Sequence, residues 1–384
     1  MKHKRPVSQR INLILIVLLT AACVPAQPEI ALAPPTNTPA PPTATTAPPT
    51  ATTAPTETPA PTDTPEPTDI PALNPSPRGY VSMAYDSESD KIILFGGQTE
   101  PDELLGGQEI TPTDETWAYD VASNTWTKMN PEVSPPEKAA VDLVYDAESD
   151  RVILFGGNWG DKDTWAYDYN TNTWTEMSKG PGNHIGYRMA YDVESDRCIL
   201  FGGLERPSGV YNDTWAYDFN SDAWTKMEPV TNPAGRNYHA MAYDTKADRI
   251  ILFGGGNWSK NMGDTWVYDY NTDTWTEMEP GEGPRPRARS YLAMVYDTAA
   301  ERVILFGGDA GMSETWSYDY GSNTWTKLGP SKPPAASRHA LAYSSAAERV
   351  ILFGGQVGEN FDYTDRTASF DYNTTSWTNV TRSP

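Results

Sequence analysis

Cysteine is nearly absent from this chain: there are two in 384 residues, Cys23 and Cys198. If Cys23 is taken up by a lipid, no disulfide can form, and stability must come from packing. Histidine is almost as scarce, with four residues. No Cys/His cluster has metal-ligand spacing, so neither a metal nor a cofactor is expected. Basic residues are also few: 29 Lys and Arg against 51 Asp and Glu give a formal charge of −22. That balance argues against nucleic acid or an anionic membrane as main partner. It also makes any local cluster of positive charge informative. Long apolar runs are missing as well. The N-terminal run Ile11–Leu19, broken by Asn12, is too short for a bilayer, which takes about 20 residues. No phosphate-cradling glycine loop and no Ser-His-Asp signal is present.

What the N-terminus does contain is a basic start (Lys2, Lys4, Arg5, Arg10), that apolar run, and Thr20-Ala21-Ala22-Cys23. This order fits a secretory signal. Its ending resembles a bacterial lipobox, with Thr20 where Leu is usual. The resemblance implies that residues 1–22 are removed and that Cys23 is lipidated as the mature N-terminus. The chain would then lie in a bacterial cell envelope, outside the cytoplasmic membrane, and touch the membrane through lipid only. An ordinary cleaved signal with an incidental Cys is the alternative. Residues 23–77 are mostly Pro, Thr and Ala and cannot bury a core. As polyproline II at ~3.1 Å per residue they form a stalk on the order of 150 Å long.

The remainder, 78–384, repeats one pattern six times: an apolar run ending in Gly-Gly, a Trp, and a second Trp nine residues on. The second Trp recurs at Trp126, Trp174, Trp224, Trp275, Trp325 and Trp377, at intervals of 48, 50, 51, 50 and 52. A period near 50 in an all-strand pattern predicts a β-propeller with one repeat per blade. The repeats run about 78–131, 132–180, 181–230, 231–282, 283–330 and 331–384. In the second, Lys138–Tyr145 reads as strand A and Val152–Phe155 as a buried strand B ended by Gly156-Gly157. Asp163–Asp168 alternates as strand C, and Thr173–Met177 is the outer strand D.

The double glycine, the aromatic six to seven residues before the last Trp, and that Trp together resemble the landmarks of kelch repeats. The resemblance covers 78–384 and implies an all-β, six-bladed kelch propeller, within the superfamily of the galactose oxidase central domain. Since the chain starts at a strand A and ends at a strand D, closure is expected by whole-blade packing without strand exchange. The sixth copy departs, with Ala368 in place of Trp and Arg366 in place of an acid. Blade six is therefore expected to be the loosest, with its weakest seam against blade one.

Residues shared by all blades read as scaffold; a site should appear where blades differ. The acid–base dipeptides at the A–B turns (Asp90-Lys91 through Glu348-Arg349) and the acids before Thr-Trp (Asp163, Asp213, Asp264) fall in the first class, as do the repeated Trp residues. Cys198, in the apolar run Cys198–Phe201, reads as a small buried hydrophobe. Seven residues before the strand-A Tyr, the positions read Arg78, Lys138, His184, Arg236, Arg289 and Ala336, with Arg338 two residues later. This is a basic ring at a channel mouth, and kelch domains often hold acidic ligands with arginines near this position. Arg78, Arg236, Arg289 and Arg338 are thus candidate ligand-binding residues, with Trp159 and Trp258 of the B–C loops beside them. The competing reading is that these arginines brace the D–A loops against backbone carbonyls. The longest loop, Gln98–Asp114 with Asp102, Glu103 and Glu109, reads as a flap. His239 and His339, at matching places, read as repeat residues and not as metal ligands.

These observations predict a non-catalytic, monomeric binding propeller for an acidic glycan, protein or peptide. The alternative is a secreted sugar-modifying enzyme, similar to sialic acid mutarotases or to galactose oxidase with its copper centre. Against the oxidase stand the lone Cys198 in an apolar run and the lack of a paired His cluster; against the mutarotase, no acid–base pair stands out from the scaffold.

Overall fold

The computed structural model describes residues 74–382, apart from 100–110, 159–160, 183–184, 206–208, 258, 280, 310–311, 330–335 and 359–361. The expectations for the signal, Cys23, most of the stalk, most of the flap, His184, Trp159 and Trp258 fall outside the described residues.

Six four-stranded antiparallel sheets, each from one repeat, form a six-bladed propeller. From blade one to six, strand A comprises Ser82–Asp86, Asp142–Asp146, Arg188–Asp192, Ala240–Asp244, Leu292–Asp297 and Ala340–Ser344. Strand B comprises Lys91–Phe95, Arg151–Phe155, Arg197–Phe201, Arg249–Phe253, Arg302–Gly307 and Arg349–Phe353. Strand C comprises Thr116–Asp120, Thr164–Asp168, Thr214–Asp218, Thr265–Asp269, Thr315–Asp319 and Thr367–Asp371. Strand D comprises Thr125–Met129, Thr173–Glu176, Ala223–Lys226, Thr274–Met278, Thr324–Leu328 and Ser376–Asn379. Sheet order is A-B-C-D throughout, and no strand is exchanged between the chain ends. Strand A of blade two starts at Asp142, later than the sequence pattern suggested. Ala140 has φ 58°, and a left-handed residue cannot continue a strand.

Blades adhere through one repeated joint. Each strand-D Trp lies between a Tyr or Phe of its own strand C and a Phe of the preceding blade. Trp275, for example, has ring centroids 4.9 Å from Tyr268 and 5.0 Å from Phe201. Its indole N–H donates to Thr214 of the preceding strand C at 2.9 Å. The same bond recurs at every seam, including Trp126 to Thr367 at 3.0 Å where blade one meets blade six. The Thr is the first residue of strand C because only there does its hydroxyl reach the neighbouring indole. Replacing it leaves a buried donor unpaired. Thr214→Val is expected to cost about 1–2 kcal/mol, measured as a lowered denaturant midpoint at unchanged m-value.

The expectation of a weak seam between blades six and one needs correction. Strand-C tryptophans face the preceding blade: Trp165 packs with Ile93 and Phe95 of blade one. Ala368 therefore faces blade five, in a cluster with Ile304, Phe306, Leu328 and Ala336. The missing indole thins the five–six seam. The closing seam keeps Trp117, Trp126 and Phe353 in one core.

The A–B turns hold a second repeated device. Lys91, Arg151, Arg197, Arg249, Arg302 and Arg349 each pair with the last Asp of their own strand C, at 2.8–3.2 Å. All six copies make it, which places these residues in the scaffold. Cys198 is 1% exposed, in the core between blades two and three, and burial pushes its thiol pKa well up.

Candidate functional site

Three of the four candidate arginines are structural. Arg78, Arg236 and Arg289 are completely buried. Each Nε donates to the carbonyl two residues back, and each Nη1 donates to the first glycine of its own blade's Gly-Gly pair, at 2.8–3.0 Å. Each Nη2 reaches the acid before Thr-Trp: Glu115 at 2.6 Å, Asp264 at 2.7 Å and Glu314 at 2.8 Å. Asp264 accepts from both Nη1 and Nη2 of Arg236, a bidentate pair. Lys138 likewise pairs with Asp161 and Asp163.

The backbone carbonyls of these basic residues accept from the second glycine of the preceding blade, as in Gly203 to Arg236 and Gly255 to Arg289, both 2.9 Å. Both glycines of every pair have positive φ. A Cβ at Gly202 would stand 2.6 Å from the Arg236 carbonyl oxygen. That close approach is why the pair must be glycine. The arginine therefore ties two blades together, and its charge is spent on a carboxylate. Burial pushes the Glu115 carboxyl up, but hydrogen bonds from Arg78, Lys128 and Trp117 hold it down at about 2. Glu314 is held at about 2 in the same way, by Lys327, Arg289 and Trp316 against the opposing effect of burial. Blade six lacks both partners, having Ala336 for the base and Arg366 for the acid. Base and acid disappear together, as expected of a brace. The ligand-binding expectation for Arg78, Arg236 and Arg289 is corrected accordingly.

Arg338 differs. It stands two residues later, in a column that reads Tyr80, Ala140, Gly186, Tyr238, Tyr291 and Arg338 around the propeller. All six have φ between 51° and 73°. Their peptides form a near-complete circle of hydrogen bonds: Ala140 to Tyr80, Tyr80 to Arg338, Arg338 to Tyr291, Tyr291 to Tyr238 and Tyr238 to Gly186, at 2.6–3.1 Å. The large side chains of this column meet over the axis. Tyr80 and Tyr238 come from opposite blades, yet their ring centroids are 6.1 Å apart. Tyr238 and Tyr291 stack at 4.2 Å. The Arg338 guanidinium carbon lies 4.2 Å from the centre of Tyr291 and 5.0 Å from that of Tyr80, within cation–π range. Arg338 also donates to Gln356 and has no carboxylate within 4.0 Å among the described residues. This face of the channel, expected to be an open mouth ringed by arginines, is closed by a half-buried tyrosine–arginine cap.

Beneath the cap, a cavity of about 360 Å³ follows the six A strands to the opposite face. Its far end is lined by turn residues such as Ser87 and Val193, the latter 50% exposed. The walls are mostly apolar, with Met83, Leu143, Met189, Met241, Met294 and Leu341 at one level and six tyrosines nearer the open end. At the repeat position just before the Met/Leu level the blades differ: Ser82, Asp142, Arg188, Ala240, Ala293 and Ala340. Ser82 and Asp142 bridge blades. The Ser82 hydroxyl donates to Asp142 at 3.1 Å, and the Met189 N–H donates to Asp142 at 2.6 Å. Arg188 donates to the Tyr187 carbonyl at 3.0 Å and has no carboxylate within 4.0 Å among the described residues.

His239 and His339 do not line a shared site. They pack edge-on against Phe201 and Phe306 in separate seams, buried, with all four ring nitrogens unpartnered among the described residues. Burial and the charge of Arg188 hold His339 down at about 3; burial, Arg236 and Arg188 hold His239 well below its ordinary value. Both are neutral core residues. Tyr80, Tyr238, Tyr291, Asp142 and Arg188 were missed by counting a single column of the repeat. The same rule, that a site lies where blades differ, finds them in the two adjacent columns.

The sequence model of the KLHDC2/KLHL20/DRC7 Kelch-repeats domain matches residues 103–308, more than half of the chain. A curated relative, the dynein alpha chain of the flagellar outer arm from Chlamydomonas reinhardtii, is 36% identical over 80 residues. That stretch is 21% of this chain and only 2% of the dynein chain. Six repeats folded as six four-stranded blades, together with the domain match, make this chain a member of the Kelch-repeat family.

Proposed function

We propose that this chain is a non-catalytic binding propeller, carried outside a bacterial cytoplasmic membrane on a lipid anchor and stalk, whose partner is a protein or glycan bearing acidic groups. The Kelch propeller fold suggests protein binding. The observation that carries the reading is the cap: Arg338, with no carboxylate within 4.0 Å among the described residues, laid across Tyr80 and Tyr291 on the axis of the face. A cation on aromatic rings offers an incoming carboxylate both charge and a flat apolar contact. The overall charge of −22 repels acidic ligands elsewhere, so recognition concentrates where a cation is left over. Lipid and stalk hold the head away from the membrane surface, where such a partner is met.

The test is an array of acidic and neutral peptides and glycans probed with the full-length chain, wild type beside Arg338→Asn. Asn tolerates the left-handed backbone at 338, so the variant is expected to keep its melting temperature. Salt-sensitive binding to acidic ligands, weakened about ten-fold or more in the variant, is the expected result. Equal binding by both proteins sinks the proposal.

A further inference from the structure

We propose that the central channel is a second binding site, one that takes a small, largely apolar carboxylate entering head-first from the A–B turn face and ending on Arg188. This goes beyond the cap reading, because the ligand enters from the opposite face and uses a different cation, Arg188 on the inner side of the capped end.

Four observations carry it. The cavity, about 360 Å³, falls at the lower end of the range for small-molecule sites. It is closed at one end by the cap and opens at the other between exposed turn residues such as Ser87 and Val193, so entry has one direction. The lining changes along that direction, with tyrosines and turn Ser and Thr residues at the open end and an apolar stretch behind them. Methionine, leucine, alanine and valine side chains line the length, and the charged side chains stand at the closed end. Lastly, among the described residues Arg188 is the cation of the lining with no carboxylate within 4.0 Å, although Asp142 on the neighbouring blade feels its charge. Asp142 is already committed to Ser82 and to the Met189 N–H.

Arg188 belongs to the lining of the central cavity from blade three, as His339 does from blade six, the opposite blade. A half-buried guanidinium with spare donors matches a planar monoanion through two parallel N–H···O bonds. The Asp142 carboxyl beside it disfavours a dianion. Strands of five or six residues make the channel on the order of 15 Å long, enough for a short alkyl or aryl tail behind a carboxylate. The tail gains by leaving water.

Hexanoate, acetate and methyl hexanoate serve as probes, titrated calorimetrically into the full-length chain in lipid nanodiscs with empty nanodiscs as blank. Hexanoate is expected to saturate one site per chain, with acetate and the ester each about ten-fold weaker or worse. Arg188→Gln should lose at least that factor, and Arg188→Lys should recover part of it. The ester comparison uses wild-type protein only, so the proposal stays testable if Arg188→Gln fails to fold. Should the ester bind as well as the acid, or Arg188→Gln bind hexanoate as the wild type does, the assignment is overturned. An absence of saturable hexanoate binding overturns it equally. Neither result touches the cap, whose acidic partner is read out separately with Arg338→Asn.

Discussion

Arg236→Ala is expected to destabilise the propeller by about 3 kcal/mol, because it leaves Asp264 without its partner and the Gly254 carbonyl without its donor. Asp264 is 26% exposed at the side chain, so water recovers part of the loss and the figure lies at the lower end for buried pairs. Asp264→Ala alone should also destabilise. It orphans the guanidinium together with the Trp266 indole N–H, which donates to Asp264 at 2.8 Å. The double variant Arg236→Met/Asp264→Leu should lose less than the sum of the two singles, since no uncompensated charge remains. A double-mutant cycle in urea measures this coupling. Effects that are additive and below about 1 kcal/mol would mark the pair as an ordinary surface bridge. Binding of acidic ligands by the folded fraction should be unchanged in Arg236→Ala, whereas a ligand-contacting arginine would lose affinity at constant stability.

Acid is expected to destabilise the protein through His239 and His339 well before the braced carboxylates are protonated. Both imidazoles are neutral in the fold, with pKa depressed chiefly by burial. The unfolded chain takes up protons at these sites near pH 6.5, whereas the folded chain does so at His339 only near 3. Between those limits the unfolded state binds more protons, so stability rises with pH in this window and is lost as pH falls through it. Each histidine contributes about 1.4 kcal/mol per pH unit. From pH 6.5 to 5 His339 alone removes about 1.6 kcal/mol, and His239 acts in the same direction. Glu115 and Glu314, held at about 2, begin to cost stability only as pH drops below the ordinary carboxylate range. Asp142, Asp146 and Asp192, raised by burial, act in the opposite sense, and a comparison between variants cancels them. Blade five supplies the replacement, since Leu292 occupies the same place. His239→Leu/His339→Leu should flatten the dependence of melting temperature on pH between 7 and 5. A wild-type slope retained in this variant would refute the assignment.

Much of the fold was legible in the sequence because its determinants are local and repeated six times. The Gly-Gly pairs, the alternation around Trp165 and Tyr167, and the Trp spacing each report a backbone requirement that a single repeat already contains. Closure without strand exchange is seen in the sheets, each built from the strands of one repeat. The site was less legible. Arg78, Arg236 and Arg289 were found, but not their partners. Each arginine stands 25 to 37 positions from its acid, as Arg289–Glu314 and Arg78–Glu115 show, and spacing of that kind carries no signal. Blade six held a clue in the joint loss of base and acid at Ala336 and Arg366.

By itself, then, the sequence determined the architecture, the number of blades, and the columns in which blades differ, because strand, turn and blade-to-blade packing recur with every repeat. Only the tertiary structure decided which cations are spent and which remain. Whether a guanidinium is buried against Glu115, laid on Tyr291 or left in a channel depends on residues brought together around a ring. Tyr80 and Tyr238, which meet across the axis from opposite blades, are 158 positions apart in the chain. Charge state and accessibility are properties of that closed ring and of no single repeat.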